Sequence, residues 1–394
     1  MLRRFYFYLT LCFSFLVVVQ NLAAQTTNST TSSNRLQVVY VIQGNTILTY
    51  NVDPQTLYPT QVGSLTLNNT GVAYYGLYSS PNDHFIYLIA YNTNLSKHLS
   101  VYRTDASGAP QAPSTQGMSF NNFYGMEFDP RANFAYAVFG SPTGLYNTEY
   151  HIRRYLVNPT NGNLTSAVSE AKYVLPGNPS GEYCDLATAG FNPAATTLYD
   201  EVLCSSHDGI SGTYYERSVN TTTGALGPDV QVYGWSNGTQ GFESIQFVAN
   251  HMFDFVMTNN YQPSPNSVNV YPIVPNTKTR LIHCTGAMLE ACGSATGVAH
   301  PSGNYAFMAI SGDTTQIDRV ELAAHKIVDT GNYIPYQFAK FSPDGSLVYG
   351  NLNLSGGDFY IEIYGFNVTT SGVTPGGAIY VPSGLDPWIV AERY

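Results

Sequence analysis

The sequence predicts an all-β protein: a seven-bladed β-propeller closed by pairing of the C-terminal strand with the N-terminal strands. Two observations carry this prediction. One unit of strands and turns recurs along the chain, and the two chain ends look like parts of one further unit. The composition agrees, since charged residues make up only 11% of a chain that holds 32 tyrosines and 35 glycines. Helix surfaces rely on charged residues and alanine, whereas tyrosine favours strands and glycine favours turns.

The recurring unit is about 50 residues long, a period typical of repeat architectures such as propellers. Each unit has a short apolar strand, a turn containing Pro, Asp, Asn or Gly, and a second strand rich in tyrosine and valine. Residues 128–138 and 341–349 show this pattern clearly. A third, alternating strand and a weaker fourth strand complete the unit. Six units start near Tyr74, Tyr124, Asp185, Glu243, Thr296 and Gln337.

The chain ends supply the missing seventh unit. The N-terminal part of the chain is predicted to have a second, a third and a fourth strand without a first strand, at residues 36–41, 47–50 and 61–65. Residues 388–391 look like a first strand without followers. Joining the ends completes one blade and leaves no long unpaired edge. A pair of β-sandwiches and an open β-solenoid are the alternative architectures.

The first 24 residues are predicted to be a signal peptide. Arg3 and Arg4 give a positive start, residues 5–19 are almost wholly apolar, and small residues up to Ala24 suit cleavage. An uncleaved membrane anchor is the alternative. We therefore expect a disordered leader over residues 25–34 and a propeller domain over residues 35–394. The mature protein is expected to be secreted or periplasmic, with no integral membrane span after cleavage.

Four cysteines follow the predicted cleavage site, and an even number in an exported chain indicates disulfide bonds. Cys184 and Cys204 each lie ten residues from a turn centred on residue 194, so they should face each other across a hairpin. Cys284 and Cys292 bracket a short loop between the fifth and sixth units. We expect both pairs to form disulfide bonds.

The charge pattern limits the partners. A formal net charge of −10 argues against nucleic acid, because phosphate binding needs clustered lysine and arginine. The expected ligand is a small molecule or a carbohydrate, since several tyrosines at one mouth could stack on sugars. No cofactor is indicated, although a few carboxylates with a histidine could bind a divalent cation through oxygen ligands.

The candidate site is the mouth of the central channel, where first strands begin and the loops after second strands converge. Function has to be argued from such a site, because one fold hosts many activities. The alternative interpretation is that these polar residues are solvated caps on strand ends. The candidate catalytic residues, which could polarise a water molecule, are Glu182, His207, Glu243 and Asp313. The candidate substrate-binding residues are Tyr75 and Tyr124, at the starts of first strands, and Asn259 and Asn351, in the loops after second strands.

Residues 299–305 and 341–349 resemble the lactonase-like propellers, which include the 6-phosphogluconolactonase type and the YVTN-repeat proteins. The resemblance covers nearly all of the mature chain by repeat spacing. It implies a seven-bladed propeller and a hydrolase that opens a lactone or a similar small ester.

The sequence departs from this family at two places. Members tend to carry Asn-Glu or Asn-Arg just after the second strand of certain blades. Here residues 310–313 read Ile-Ser-Gly-Asp and residues 350–353 read Gly-Asn-Leu-Asn. The absence of that acid and base leaves a second function open, a non-catalytic binding or scaffold propeller at the cell surface or in the periplasm.

Overall fold

In a computed structural model, the described part of the chain forms seven four-stranded antiparallel sheets. No helix in this part of the chain is long and apolar enough to cross a membrane. The structure describes residues 36–67, 74–82, 84–91, 96–143, 147–175, 183–191, 195–206, 209–237, 241–248, 251–258, 267–274, 282–283, 295–300, 305–310, 315–321, 326–334, 337–353, 358–370, 372–382 and 388–393. The predicted signal peptide and leader lie outside these residues.

The first sheet contains strands from both ends of the chain. In spatial order it comprises β28 (Trp388–Arg393), β1 (Leu36–Gln43), β2 (Thr46–Val52) and β3 (Pro59–Thr66). Strand β28 pairs antiparallel with β1, and Tyr40 lies directly opposite Ile389. The N-terminal segment thus provides the second, third and fourth strands of a sheet whose first strand is C-terminal, as the patterns at both ends predicted.

The next three sheets each follow the order of the chain. The second comprises β4 (Tyr74–Ser79), β5 (Phe85–Tyr91), β6 (Lys97–Thr104) and β7 (Pro110–Ser119). The third comprises β8 (Phe123–Phe128), β9 (Phe134–Pro142), β10 (Thr148–Val157) and β11 (Leu164–Leu175). The fourth comprises β12 (Tyr183–Phe191), β13 (Thr197–Ser206), β14 (Gly209–Val219) and β15 (Leu226–Asn237).

The last three sheets repeat this order. The fifth comprises β16 (Gly241–Val248), β17 (His251–Thr258), β18 (Ser267–Val274) and β19 (Ile282–His283). The sixth comprises β20 (Ala295–Ala299), β21 (Tyr305–Ile310), β22 (Thr315–Glu321) and β23 (Lys326–Ile334). The seventh comprises β24 (Gln337–Phe341), β25 (Leu347–Asn353), β26 (Phe359–Asn367) and β27 (Gly372–Val381).

A buried polar side chain organises the turn between the first and second strands. Ser80, Asp129 and Ser342 hold this position in three sheets and are at most 2% exposed. The backbone N–H of the residue five positions later donates to each of them, at 3.1 Å for Ser80, 3.2 Å for Asp129 and 2.9 Å for Ser342. A short polar side chain that replaces a backbone acceptor in this way is typical of tight turns. The predicted turns at these positions are confirmed.

Apolar clusters fill the spaces between neighbouring sheets. They join the first sheet to the second (Val38, Ile42, Ile86, Leu88), the second to the third (Tyr87, Leu99, Phe123, Phe139), the third to the fourth (Tyr136, Val138, Leu186, Leu198) and the seventh to the first (Tyr349, Ile361, Val39, Val52). Each sheet in these clusters buries apolar side chains on the face turned toward its neighbour, which is the main stabilising contribution.

Three tyrosine–glycine hydrogen bonds also join neighbouring sheets. In each, a buried tyrosine on the second strand of one sheet donates to a glycine carbonyl in the hairpin between the third and fourth strands of the next sheet. The pairs are Tyr40–Gly108 at 2.9 Å, Tyr87–Gly162 at 2.9 Å and Tyr136–Gly224 at 2.6 Å. Gly162 has a φ of +72°, and a Cβ atom there would lie 2.6 Å from the ring of Phe85. Only glycine satisfies both constraints.

The predicted disulfide bond between Cys184 and Cys204 is present. The two residues lie directly opposite each other in β12 and β13, and their sulfur atoms are bonded. Cys284 and Cys292 lie outside the described residues, so their pairing stays a prediction.

Candidate functional site

Several first strands contact the first strand of a neighbouring sheet. Strand β4 contacts β28, β12 contacts both β8 and β16, and β20 contacts both β16 and β24. Three of the residues that the sequence assigned to first strands therefore lie on strands through which neighbouring sheets meet: Tyr75, Tyr124 and Glu243.

Tyr124 is the second residue of β8 and has an exposed side chain. It lies in an irregularity of the ladder, between Phe123 and Gly125. Its side chain is 46% exposed, and its ring meets the ring of Tyr150 edge-on, with centroids 5.2 Å apart. A Cβ atom on Gly140 would lie 2.6 Å from the Tyr124 ring, so this glycine makes room for it. An exposed aromatic face that is held in place in this way can stack on the apolar face of a ligand.

The backbone positions of two other substrate-binding candidates, Tyr75 and Asn351, are known. Tyr75 lies in β4 at an irregularity between Tyr74 and Gly76, the same arrangement as at Tyr124. Asn351, predicted to lie in a loop, is instead inside β25, opposite both Gln337 and Ile361. The prediction of a loop was wrong because backbone pairing continues through the polar residues at the end of this strand.

The four predicted catalytic side chains are not brought together by any described contact. Glu182, His207 and Asp313 lie outside the described residues, as does Asn259. The backbone of Glu243 lies in β16 opposite Val256, and its side chain is outside the described part of the structure. In the described part of the chain, no group of three or more His, Cys, Asp or Glu side chains is arranged to hold a metal ion.

Glu127 is a candidate that the sequence analysis missed. It lies in β8 opposite Tyr136 of β9, so the two side chains project from the same face of the sheet. Tyr136 packs in the cluster shared with the fourth sheet, which places Glu127 on the face toward that sheet. Its side chain is half-buried. The available sequence signal was a carboxylate inside an otherwise apolar first strand, two residues before the Asp-Pro turn at residues 129–130.

Burial raises the pKa of Glu127 to about 7. Desolvation penalises the ionised form of a carboxyl group, and among the described residues no cation lies against this one to offset it. A carboxyl group with a pKa near neutrality is half ionised at physiological pH. It can therefore accept and return a proton, which is the property required of a general base.

A second buried cluster lies between the third and fourth sheets and consists of Asp200, Arg217 and Tyr173. Arg217 Nε donates to Asp200 Oδ2 at 2.8 Å, and Arg217 Nη2 contacts Tyr173 Oη. Burial raises the pKa of Asp200 to about 6, while the positive charge of Arg217 acts in the opposite direction. Because these groups are directed at one another across β11, β13 and β14, the cluster ties the sheets together and is not an open site.

No protein-family model matches the chain, and no curated protein matches it in sequence. Solved structures do match. A putative 6-phosphogluconolactonase from Bacteroides uniformis is 12% identical, with a TM-score of 0.55, over 91% of this chain and 100% of that one. A putative 6-phosphogluconolactonase from Bacteroides fragilis is 14% identical, with a TM-score of 0.53, over 91% of this chain and 99% of that one.

These similarities extend over nearly the whole length of this chain and of each matched chain, so they concern the complete arrangement of sheets and not one repeat. At this sequence identity they identify the fold alone. The resemblance carried by residues 299–305 and 341–349 is thus confirmed in three dimensions: the chain has the fold of these two putative 6-phosphogluconolactonases.

Proposed function

We propose that this chain is a lactonase-like hydrolase that opens a lactone or a similar small ester, with Glu127 as its general base. The observation that carries the proposal is the raised pKa of a half-buried carboxyl group on a first strand. The similarity to the two Bacteroides proteins, which are described as putative 6-phosphogluconolactonases, supports the choice of reaction.

The proposed scaffold is a closed seven-bladed propeller. Shared apolar clusters between the seventh and first, first and second, second and third, and third and fourth sheets support it. First-strand contacts between the fourth and fifth, fifth and sixth, and sixth and seventh sheets support the remaining junctions. In such a ring the first strands would surround the channel, and Glu127 and Tyr124 would both border it.

Lactone hydrolysis needs a base for water and a proton for the leaving oxygen. The ionised Glu127 carboxylate would accept a proton from water as the water oxygen bonds to the carbonyl carbon. The ring C–O bond would then break, and the leaving oxygen would take the proton back from the Glu127 carboxyl group, giving a hydroxy acid. General base catalysis of this kind typically contributes about 10²- to 10⁴-fold in rate. Glu182, His207, Glu243 and Asp313 remain proposed members of this catalytic group, and Tyr75, Tyr124, Asn259 and Asn351 remain proposed substrate contacts.

The test is a panel of sugar lactones and simple five- and six-membered lactones. We expect Glu127→Gln to lower kcat/KM by about 100-fold or more, because glutamine keeps the shape and cannot accept the proton. The matched control is Glu216→Gln, a carboxamide substitution on β14 in the fourth sheet, which should leave kcat/KM unchanged. Glu243→Ala should lower kcat/KM if Glu243 belongs to the same group.

The pH profile gives an independent readout. Since the base form is required, wild-type kcat/KM should rise about tenfold per pH unit below the Glu127 pKa of about 7 and level off above it. Hydrolysis that survives in Glu127→Gln would disprove the role of Glu127. A wild-type protein that hydrolyses no lactone in the panel would disprove the enzyme and favour the non-catalytic binding or scaffold propeller.

We also propose that the protein is exported, with residues 1–24 as its signal peptide. The disulfide bond Cys184–Cys204 supports this, because disulfides persist in oxidising compartments. Sequencing the N-terminus of the exported protein should find Gln25 first, and a retained Met1 would contradict the proposal.

A further inference from the structure

A pocket of about 500 Å³ opens between the hairpins of the second and third sheets. It lies where β4 ends, so it is at the opposite end of the sheet from Tyr75. Its volume is within the range of pockets that bind small ligands, roughly 300–1,000 Å³. The side chains that matter below are those of His84, Arg103, Asp105 and Gln111 from the second sheet, with Pro159 from the third.

Arg103 is the unpaired cation in this pocket. Its side chain is exposed, and no described carboxylate, carbonyl group or aromatic ring lies against its guanidinium group. The other lysine and arginine side chains that the structure describes all have such a partner: Lys97 with the Phe123 carbonyl, Arg131 with Asp129, Arg153 with the Phe139 ring, Arg154 with Glu170, Lys172 with Glu149 and Arg217 with Asp200. In an acidic chain with few cations, a free guanidinium group in a pocket points to an anionic ligand.

Asp105 lies in the same pocket, and its carboxylate is already occupied. One oxygen accepts hydrogen bonds from the backbone N–H groups of Ser107 at 2.8 Å and Ala109 at 3.1 Å. The other oxygen accepts from Gln111 Nε2 at 2.9 Å. The remaining negative charge opposes a doubly charged ligand more strongly than a singly charged one. A carboxylate is therefore favoured over a phosphate.

Gln111 adds an acceptor to the site. Its Nε2 atom donates to Asp105 and to the Ala109 carbonyl at 3.2 Å, and these bonds set the orientation of the amide group. The amide oxygen has no partner among the described residues and can accept a hydrogen bond from a ligand hydroxyl group. A carboxylate that also carries hydroxyl groups would use both features.

The walls of the pocket are held in place before any ligand arrives. Tyr87 Oη donates to the Gly162 carbonyl at 2.9 Å, and Ser114 Oγ donates to the Asn161 carbonyl at 2.6 Å. Both bonds fix the hairpin that carries Pro159 against the second sheet. A preformed pocket binds more tightly than one that must be ordered on binding.

We propose that this pocket binds a small hydroxycarboxylate, with Arg103 pairing with the carboxylate, His84 as a second donor and Gln111 as the acceptor for a hydroxyl group. The site is separate from Glu127 and does not depend on the proposed hydrolysis.

The test is calorimetric titration of the full protein with three probes, glycolate, lactate and gluconate, at neutral pH and low salt. At least one probe should bind saturably, and glucose, which has no carboxylate, should not. Arg103→Gln should weaken that binding tenfold or more. The matched control is Arg153→Gln, which removes an exposed arginine from the third strand of the neighbouring sheet and should leave the affinity unchanged.

Several results would overturn the proposal: no saturable binding of any of the three probes, equal affinity in Arg103→Gln, equal binding of glucose, or tighter binding of inorganic phosphate than of the carboxylates.

A second measurement avoids dependence on the variant. Phenylglyoxal should modify Arg103 in the wild-type protein, and the bound carboxylate should protect Arg103 and not Arg153, as read by peptide mass spectrometry. Modification of Arg103 that is unchanged by the bound probe would also overturn the proposal. Because both readouts measure binding, they are unaffected if lactone hydrolysis is not found.

Discussion

Between the third and fourth sheets, Tyr136 donates a 2.6 Å hydrogen bond to the carbonyl group of Gly224. Between the seventh and first sheets, Tyr349 holds the corresponding place on the second strand, but its buried hydroxyl group has no partner among the described residues. Burial raises the pKa of Tyr349, as expected for a phenol removed from water. Each junction therefore has a tyrosine at the same position, and the two differ in whether its hydroxyl group has a hydrogen-bond acceptor.

The difference originates in one hairpin residue. Gly224 and Leu57 occupy the same turn, since the N–H of each donates at 2.7 Å to the carbonyl four residues earlier, and φ is +72° at Gly224 and +63° at Leu57. The Leu57 carbonyl, however, accepts the N–H of Gly377 in β27 at 2.9 Å. The leucine side chain is 7% exposed and packs into the cluster shared with the seventh sheet. The junction between the seventh and first sheets thus has a backbone hydrogen bond and apolar packing where the junction between the third and fourth sheets has a side-chain hydrogen bond.

The largest expected effect tests the apolar packing. Leu57→Ala should lower the free energy of unfolding by about 2–4 kcal/mol, because it leaves a cavity between the seventh and first sheets. Leu156→Ala is the control, since Leu156 is 45% exposed and its truncation should cost less than about 1 kcal/mol. Urea unfolding of both variants measures the difference. Equal losses would show that Leu57 does not hold this junction together.

The next largest effect is a pH dependence of stability that arises at Asp200, in the junction between the third and fourth sheets. Burial raises the pKa of Asp200 to about 6 from the usual value of about 3.9 for an aspartate, so the folded protein keeps a proton that the unfolded chain releases. The contribution of Asp200 to the free energy of unfolding is therefore full below about pH 4 and is lost as the pH rises to about 6, by up to about 3 kcal/mol.

Asp200→Asn removes this titration. The difference in unfolding free energy between wild type and Asp200→Asn should therefore change across pH 4 to 6 and stay constant above that range. Urea unfolding at several pH values measures it, with Leu57→Ala as the comparison, since an apolar substitution should shift the whole curve in parallel. Parallel curves for Asp200→Asn would contradict the raised pKa.

The smallest effect compares the two tyrosines directly. Tyr136→Phe leaves the buried Gly224 carbonyl without its donor and should cost about 1–2 kcal/mol. Tyr349→Phe removes a hydroxyl group that has no partner, so it should be neutral or slightly stabilising, within about 0.5 kcal/mol. Thermal unfolding of the two variants side by side measures this. A loss at Tyr349 as large as that at Tyr136 would mean that its hydroxyl group has a partner in solution.

The candidate site was only partly predictable from the sequence. Tyr75 and Tyr124 were assigned to the starts of first strands, and both lie in the first strand of their sheet. Asn351 was assigned to the loop after a second strand, yet its backbone is paired on both sides. Glu127 was missed because a single carboxylate in an apolar strand does not by itself show that the side chain is buried. Its raised pKa comes from burial between sheets.

The sequence by itself determined the all-β character, the repeating unit, the turns and the facing of Cys184 and Cys204, because each depends on residues close along the chain. Hydrophobic alternation, turn residues and hairpin symmetry are local properties that side-chain chemistry sets directly. Only the tertiary structure decided which polar groups find partners. Tyr40 and Gly108 are 68 residues apart, and Tyr136 and Gly224 are 88 apart. Whether Arg103, Glu127 or Tyr349 has a partner depends on which side chains of the neighbouring sheets lie close to it. A local sequence pattern does not contain that information.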